Sequence, residues 1–353
     1  MTKLSLRIFF PVCLFSLLTL ILFKNPAWKL VKFTEDKKHD VDYEDLINKN
    51  ANNAKSNALS KVTDRKSFDL RIIVLVYDRA KSLQRLLNSL NEAEYASDII
   101  KLEIWIDRSE YGNVDNITLQ AAINFNYLHG DFEVIVHQHH VGIVGQWLTT
   151  WKPNINSNEI VVFLEDDVTV SKYFWKYLKM VHRKFDNRSD INGFSLQGYS
   201  RTFSLKHKVT TLRGPKDYTV FLFPVLGSWG FSPSTKNWKQ FLDWFYSEDK
   251  SSFNPYAPGN IASNWYKTFS SQGKANTMWT MWHIYYAWKN NEYTLHCNFP
   301  ENAGLTTNWR EKGLHYSHTE GSSNKLLTEW KSEYDNLPDH VPYLNLSGHV
   351  IHY

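Results

Sequence analysis

Val161-Val162-Phe163-Leu164-Glu165-Asp166-Asp167 joins four apolar residues directly to three consecutive acids. A continuous apolar run leaves no face for water, as in a strand of a parallel sheet covered on both sides. Its exit then carries concentrated negative charge. Three further strand-like stretches lie upstream. Residues 71–77 (Arg-Ile-Ile-Val-Leu-Val-Tyr) end at Asp78-Arg79, residues 102–106 (Leu-Glu-Ile-Trp-Ile) end at Asp107-Arg108, and residues 132–137 form a third run. Between them Leu83, Leu86, Leu87 and Leu90 recur at helical spacing behind Ser82, a suitable cap. A helix-like stretch covers 119–125, and another helix begins near Gly145-Gln146-Trp147. Strands and helices alternating over about 100 residues predict an α/β, doubly wound, mostly parallel sheet with right-handed crossovers. Such sheets bind ligands beyond the C-terminal ends of their strands. Arg79, Asp107 and the acidic triplet all fall there.

The triplet supports two readings. Acids are favoured just before a helix, so Glu165-Asp166-Asp167 could cap one beginning at Val168. Alternatively, the three carboxylates offer oxygen ligands to Mn²⁺ or Mg²⁺, which can bridge a carboxylate to a diphosphate and neutralise charge on a departing nucleotide diphosphate. Their place after the fourth strand of a parallel sheet favours the second. From about residue 195 short strands mix with Trp-rich helices at 238–245 and 281–288. Flat rings pack on the apolar faces of sugars, and Trp equally fills cores.

Composition removes several classes. A net charge of +4 over 353 residues, without a dense Lys/Arg block, excludes a nucleic-acid binder. Two cysteines, Cys13 and Cys297, make neither a disulfide scaffold nor a structural zinc site. Lys3 and Arg7 precede the apolar residues 8–23, closed by Lys24 with no small-x-small cleavage site after it. These features predict an N-terminal transmembrane signal anchor with a cytosolic tail at 1–7. Residues 24–67, polar and rich in Asn, Lys and Asp, read as a flexible stem, leaving 68–353 as the luminal domain. Sequons at Asn116, Asn187 and Asn345 fit that topology.

The order of these features resembles a GT-A glycosyltransferase with a Rossmann-like nucleotide-sugar domain, family-2-like and N-acetylglucosaminyltransferase I-like. The matching pieces are residues 73–79, Asp107, Gly145-Gln146, Phe163-Leu164-Glu165-Asp166-Asp167 and, more loosely, Phe223-Pro224-Val225-Leu226-Gly227-Ser228-Trp229-Gly230 as the acceptor-side segment. The resemblance covers about residues 68–320. It implies that Arg79 and Asp107 contact the base and ribose, with His139 or His140 near the uracil. Asp167 would be the direct metal ligand, and Asp166 and Glu165 would lie beside the ribose and sugar. His315, in Gly313-Leu314-His315-Tyr316, would return to the metal. The resemblance also implies a hexosyl- or N-acetylhexosaminyl-transferase moving sugar from a UDP-sugar to a glycan or glycoprotein, in the Golgi or endoplasmic reticulum as a single-pass type II protein. One departure stands out. Where the resembling inverting enzymes carry an Asp after Trp as general base, this chain reads Asn276-Thr277-Met278-Trp279-Thr280-Met281-Trp282-His283. His283 and Glu301 are the candidates to replace that Asp. The missing Asp motivates an alternative, a catalytically inactive luminal glycan-binding protein on a degenerate transferase fold. A nucleotidyltransferase would want a Gly- and Lys-rich phosphate loop, which residues 77–82 lack.

Overall fold

In the computed structural model, residues 30–33 are described by their backbone, and residues 67–313 and 316–353 are described throughout. The apolar run 8–23, most of the 24–67 segment and His315 lie outside the described residues. Four residues of the expected stem form the edge strand β1 (Leu30–Phe33). The first apolar run is β2 (Leu70–Val76). Its Leu70, Ile72, Val74 and Val76 pack with Leu83, Leu86, Leu87 and Leu90 of α1 (Ala80–Asn91). Ile73 and Leu75 instead join Trp147, Trp151 and Phe163 in a second cluster on the other face. Both faces are covered, which is why the run shows no polar alternation. Ser82 does not cap α1; the helix starts at Ala80, and the buried Ser82 hydroxyl donates to Glu311.

The alternation continues through β3 (Ile100–Ile106), α2 (Asn116–Asn124), β4 (Gly130–Val136), α3 (Gly142–Thr149) and β5 (Ile160–Glu165). All pairings among these strands are parallel: Val74 lies opposite Ile104 on one side and Leu164 on the other, and Ile104 lies opposite Val134. The chain therefore builds outward from β2 to β3 to β4, then crosses back to add β5 on the opposite flank of β2. Growth reverses between β2 and β5, and it is beyond the C-terminal strand ends at such a reversal that open α/β sheets bind ligands.

After β5 the chain forms β6 (Val168–Val170), α4 (Phe174–Phe185), β7 (Ile191–Ser195), β8 (Val220–Phe223) and β9 (Phe231–Pro233). Then come α5 (Thr235–Ser247), α6 (Ile261–Ser271), α7 (Trp279–Asn290) and β10 (Tyr293–Cys297). The short strands β11 (Thr306–Asn308), β12 (Tyr343–Leu344) and β13 (Val350–His352) complete the described chain. Among the described residues eleven strands form one mixed sheet in the order β1-β4-β3-β2-β5-β9-β7-β10-β8-β12-β13. β9 runs antiparallel to both β5 and β7, and β8 antiparallel to β10. The Trp-rich helices pack inward: Trp238, Trp279 and Trp282 are buried in the second cluster, so these rings are core rather than exposed sugar platforms. Among the described residues no helix is long and apolar enough to cross a membrane.

Candidate functional site

The acidic triplet does not cap a helix. Glu165 closes β5, Asp166 and Asp167 form the turn after it, and the next element is β6, which pairs antiparallel with β11. That ribbon sets Asn308 opposite Val168. Its Nδ2 donates to Asp167 Oδ1 at 2.8 Å, and the Trp309 backbone N–H donates to the Asp167 carbonyl at 2.8 Å. From the neighbouring β2 comes Arg79, three residues past its end. Its Nε donates to Asp166 Oδ2 at 3.0 Å, its Nη2 to Asp166 Oδ1, and its Nη1 to Asp167 Oδ2 at 3.2 Å. Such a fork on one carboxylate is the geometry a planar guanidinium favours. The third acid, Glu165, accepts from Trp147 Nε1 at 3.0 Å, and that indole is stacked on Trp279 with ring centres 4.2 Å apart.

Three acids this close and this buried resist ionisation. Burial, then the Asp167 charge, pushes the Glu165 carboxyl up to about 8. Burial pushes Asp166 up to about 7 against the pull of Arg79, and raises Asp167 as well. Burial opposes the charge on Arg79, but Asp166 and Asp167 more than compensate and hold the guanidinium protonated. The cluster is therefore short of positive charge, and its donors are all hard oxygens, the chemistry that suits Mg²⁺ or Mn²⁺. By donor chemistry the residues fit such an ion. Among the described residues, however, no three His, Cys, Asp or Glu side chains are grouped as a ready-made cage.

Around the triplet the chain closes a second layer. Glu311 accepts from Ser82 and Arg85, and the Arg85 guanidinium lies 4.4 Å from the Trp309 ring centre. Gly313 borders Arg79, since a Cβ there would sit 3.6 Å from Nη1, and its N–H donates to the Tyr316 carbonyl at 3.0 Å. His315 itself lies outside the described residues. The 224–230 loop also approaches: Phe231 pairs antiparallel with Phe163, so the residues before it run past the C-terminal end of β5. Trp229 is fastened there, its N–H donating to Gln197 Oε1 at 3.3 Å and its carbonyl accepting from Thr306 Oγ1.

Other expected residues occupy different roles. The buried Asp107 spends its carboxylate on the chain itself, accepting from the N–H groups of Arg108 (2.8 Å), Val141 (2.9 Å) and Gly142 (2.9 Å), with His140 Nδ1 3.1 Å away. Acids are favoured at such a helix start, here that of α3, and little acceptor capacity remains for a nucleotide. His140 also donates to the Arg108 carbonyl at 2.6 Å, and His139 is exposed. Gln146 stitches the strand ends together, donating to the Val76 and Trp105 carbonyls and pairing with His137. His283 is closed off: it is 1% exposed, ringed by Phe231, Trp238, Phe241 and Trp279, with Nδ1 unpartnered. Burial pushes its imidazole down to about 3, so it stays neutral inside the core and meets no substrate hydroxyl. Glu301 is exposed and ion-paired to Lys325 at 2.8 Å, which lowers its carboxyl and weakens it as a base. Asn308, Trp147 and Glu311 were not singled out from the sequence. Asn308 and Glu311 lie in stretches whose relevance comes only from chain returning to the triplet, and Trp147 directly follows Gly145-Gln146.

Neither a known protein family nor a curated protein matches the chain in sequence. Solved structures overlap it loosely. S. aureus TarS 1–349 in complex with UDP is 14% identical over 66% of this chain and 62% of that chain, with a TM-score of 0.36. The same protein in complex with UDP-GlcNAc is 13% identical over 67% and 60%, at 0.34. The mannosyltransferase PcManGT from Pyrobaculum calidifontis, in complex with GDP-Man and Mn²⁺, is 12% identical over 63% and 58%, at 0.34. The chain spans about three-fifths of the length of each. Overlap this loose carries no activity across.

Proposed function

We propose that this chain is a metal-dependent glycosyltransferase of the GT-A type, using a nucleotide-sugar, of the UDP class, to glycosylate a glycan or glycoprotein. The observation that carries the reading is the Glu165-Asp166-Asp167 turn at the reversal point of the sheet, gripped by Arg79 from the neighbouring strand. Asp167 would hold Mn²⁺ or Mg²⁺ with its carboxylate, steadied by Asn308 and the Trp309 N–H. When bound, the ion supplies Lewis-acid stabilisation of the leaving diphosphate. Arg79, docked on Asp166 and Asp167, would offer a guanidinium donor to phosphate oxygens, Glu165 is aimed by Trp147, and Asp107 with Gln146 keeps the ends of β2, β3 and α3 in register. Residues 8–23 would anchor the enzyme in a Golgi or endoplasmic reticulum membrane; carbonate extraction of expressing cells would leave it in the pellet and would release a cleaved form.

Calorimetry with the purified full chain tests the site. UDP is expected to bind more tightly with Mn²⁺ than without, and Asp167→Asn to remove that difference while the fold persists. Equal metal enhancement in the variant would reject Asp167 as the ligand. The placement of His283 in the core and Glu301 on the surface favours a second reading, an inactive glycan-binding protein. Slow metal-dependent hydrolysis of a nucleotide-sugar would decide for the enzyme; intact donor alongside normal UDP binding would decide for the binder.

A further inference from the structure

We propose that Arg79 is a tethered cation that yields Asp167 to the metal while staying docked on Asp166, so that Asp166 anchors the guanidinium rather than ligating the ion. This rests on the proposed metal-dependent reading of the site. Three features of the cluster support it. First, the guanidinium bonds are unequal in kind. Both Asp166 oxygens are taken in a fork by Nε and Nη2, whereas Asp167 Oδ2 receives a single bond from Nη1, at 3.2 Å. Breaking the single bond leaves the fork intact, and ligation by Asp166 would sacrifice the fork. Second, Asp167 itself is fixed. Its Oδ1 accepts from Asn308 and its carbonyl from the Trp309 N–H, so the partner free to move is the guanidinium. Arg79 has room to do so: its side chain is 28% exposed against 3% for Asp166, and Nη1 is bordered by Gly313, which has no side chain to block it. Third, the charges permit it. Three carboxyl groups face a single guanidinium, so a divalent ion can enter in exchange for carboxyl protons. A metal can therefore join the cluster without expelling Arg79, provided Nη1 lets go of Oδ2. The released Nη1 is then a donor standing beside the metal position, suited to an anionic oxygen.

A direct consequence is that Arg79 opposes metal binding when no nucleotide is present, because its charge lies within hydrogen-bond distance of the ligand oxygen. Mn²⁺ titrations of the purified full chain without nucleotide, followed by the paramagnetic resonance signal of free Mn²⁺, read this out without any activity measurement. Arg79→Met, which keeps the length and removes the charge, is expected to bind Mn²⁺ at least tenfold more tightly than the wild type. Arg79→Lys keeps the charge but loses the fork, and is expected to fall between them. Unchanged or weaker Mn²⁺ affinity in Arg79→Met overturns the proposal, as does absence of Mn²⁺ binding in both proteins. Should Arg79→Met fail to fold, the lysine variant decides, and affinity no tighter than wild type overturns the proposal. A wild-type chain that shows metal-enhanced UDP binding while Arg79→Met shows no gain for Mn²⁺ rejects this inference and leaves the proposed function standing. A wild-type chain that binds no UDP with Mn²⁺ rejects the function itself.

Discussion

Asp167 is the residue on which the site turns, and it is positioned by a neighbour that carries no charge. Asn308 Nδ2 approaches Oδ1 at 2.8 Å, and both residues are buried. A buried carboxylate oxygen that loses its donor bears the desolvation cost without compensation, about 1–3 kcal/mol and more for a charged group. Asn308→Ala is therefore expected to destabilise the fold by roughly 2 kcal/mol in urea unfolding. It should also weaken metal-dependent UDP binding more than metal-free binding, because the loosened carboxylate no longer waits in one orientation. A variant with normal stability and normal metal enhancement would show that the β6–β11 ribbon alone aligns Asp167. The missing-base question also belongs at this scale. His283 and Glu301 fail for opposite reasons, one sealed among aromatic rings and the other tied to Lys325 at the surface.

At the scale of elements, the 309–313 segment fastens the ribbon to the start of α1. Glu311 reaches Ser82 and Arg85, and Arg85 in turn lies over Trp309. Segments held by a few side-chain bonds open locally at far lower cost than the core. Glu311→Gln, which breaks the ion pair and keeps the shape, is expected to speed proteolytic cleavage within 309–320 several-fold while the global unfolding midpoint stays unchanged. Equal cleavage rates would mean that packing, not the ion pair, holds the segment. The same elements mark what could be read in advance. β2 and β5 were legible because burial on both faces writes a continuous apolar run, β3 because mostly apolar residues lead into Asp107, and α1 because four leucines repeat at helical spacing. The triplet and Arg79 were legible because they stand at strand exits. β6, β9 and β11 were not, since each is three residues long and exists through a distant partner, Thr307 with Thr169 for instance. His283 was misplaced because an aromatic helix reads alike whether its rings line a crevice or fill a core. Nothing local in Trp309-Arg310-Glu311 announces that it folds back onto Ser82.

Across the whole molecule, buried titratable groups set opposing pH dependences. His283 and His296 are pushed down by burial to about 3 and about 4, so in mildly acid solution the unfolded chain binds protons that the native chain refuses. Their contribution is present above the ordinary imidazole range, near pH 6.5, and is lost as pH falls through that range toward 4. The raised acids act the other way. Glu165 near 8 and Asp166 and Glu292 near 7 keep protons that the unfolded chain has already released, so stability falls as pH rises from about 4 to 8. Above pH 6.5 the contribution of these two histidines is nearly complete while the raised acids are still losing protons, so their effect on the fold is a weakening from there to pH 8. Glu292 isolates the effect away from the triplet. It follows α7 at the start of β10, 5% exposed, with Oε2 buried and unpartnered. Burial raises its carboxyl against the help of an Asn237 hydrogen bond. Glu292→Gln imitates the protonated acid in both size and charge. At about 1.4 kcal/mol for each pH unit over which native and unfolded chains differ, the variant should be roughly 3 kcal/mol more stable than wild type at pH 8 and only about 1 kcal/mol more stable at pH 5. Urea unfolding of both proteins at the two pH values measures the difference. A gain of the same size at pH 5 would mean that Gln improves packing, and that the ionisation of Glu292 carries none of the slope.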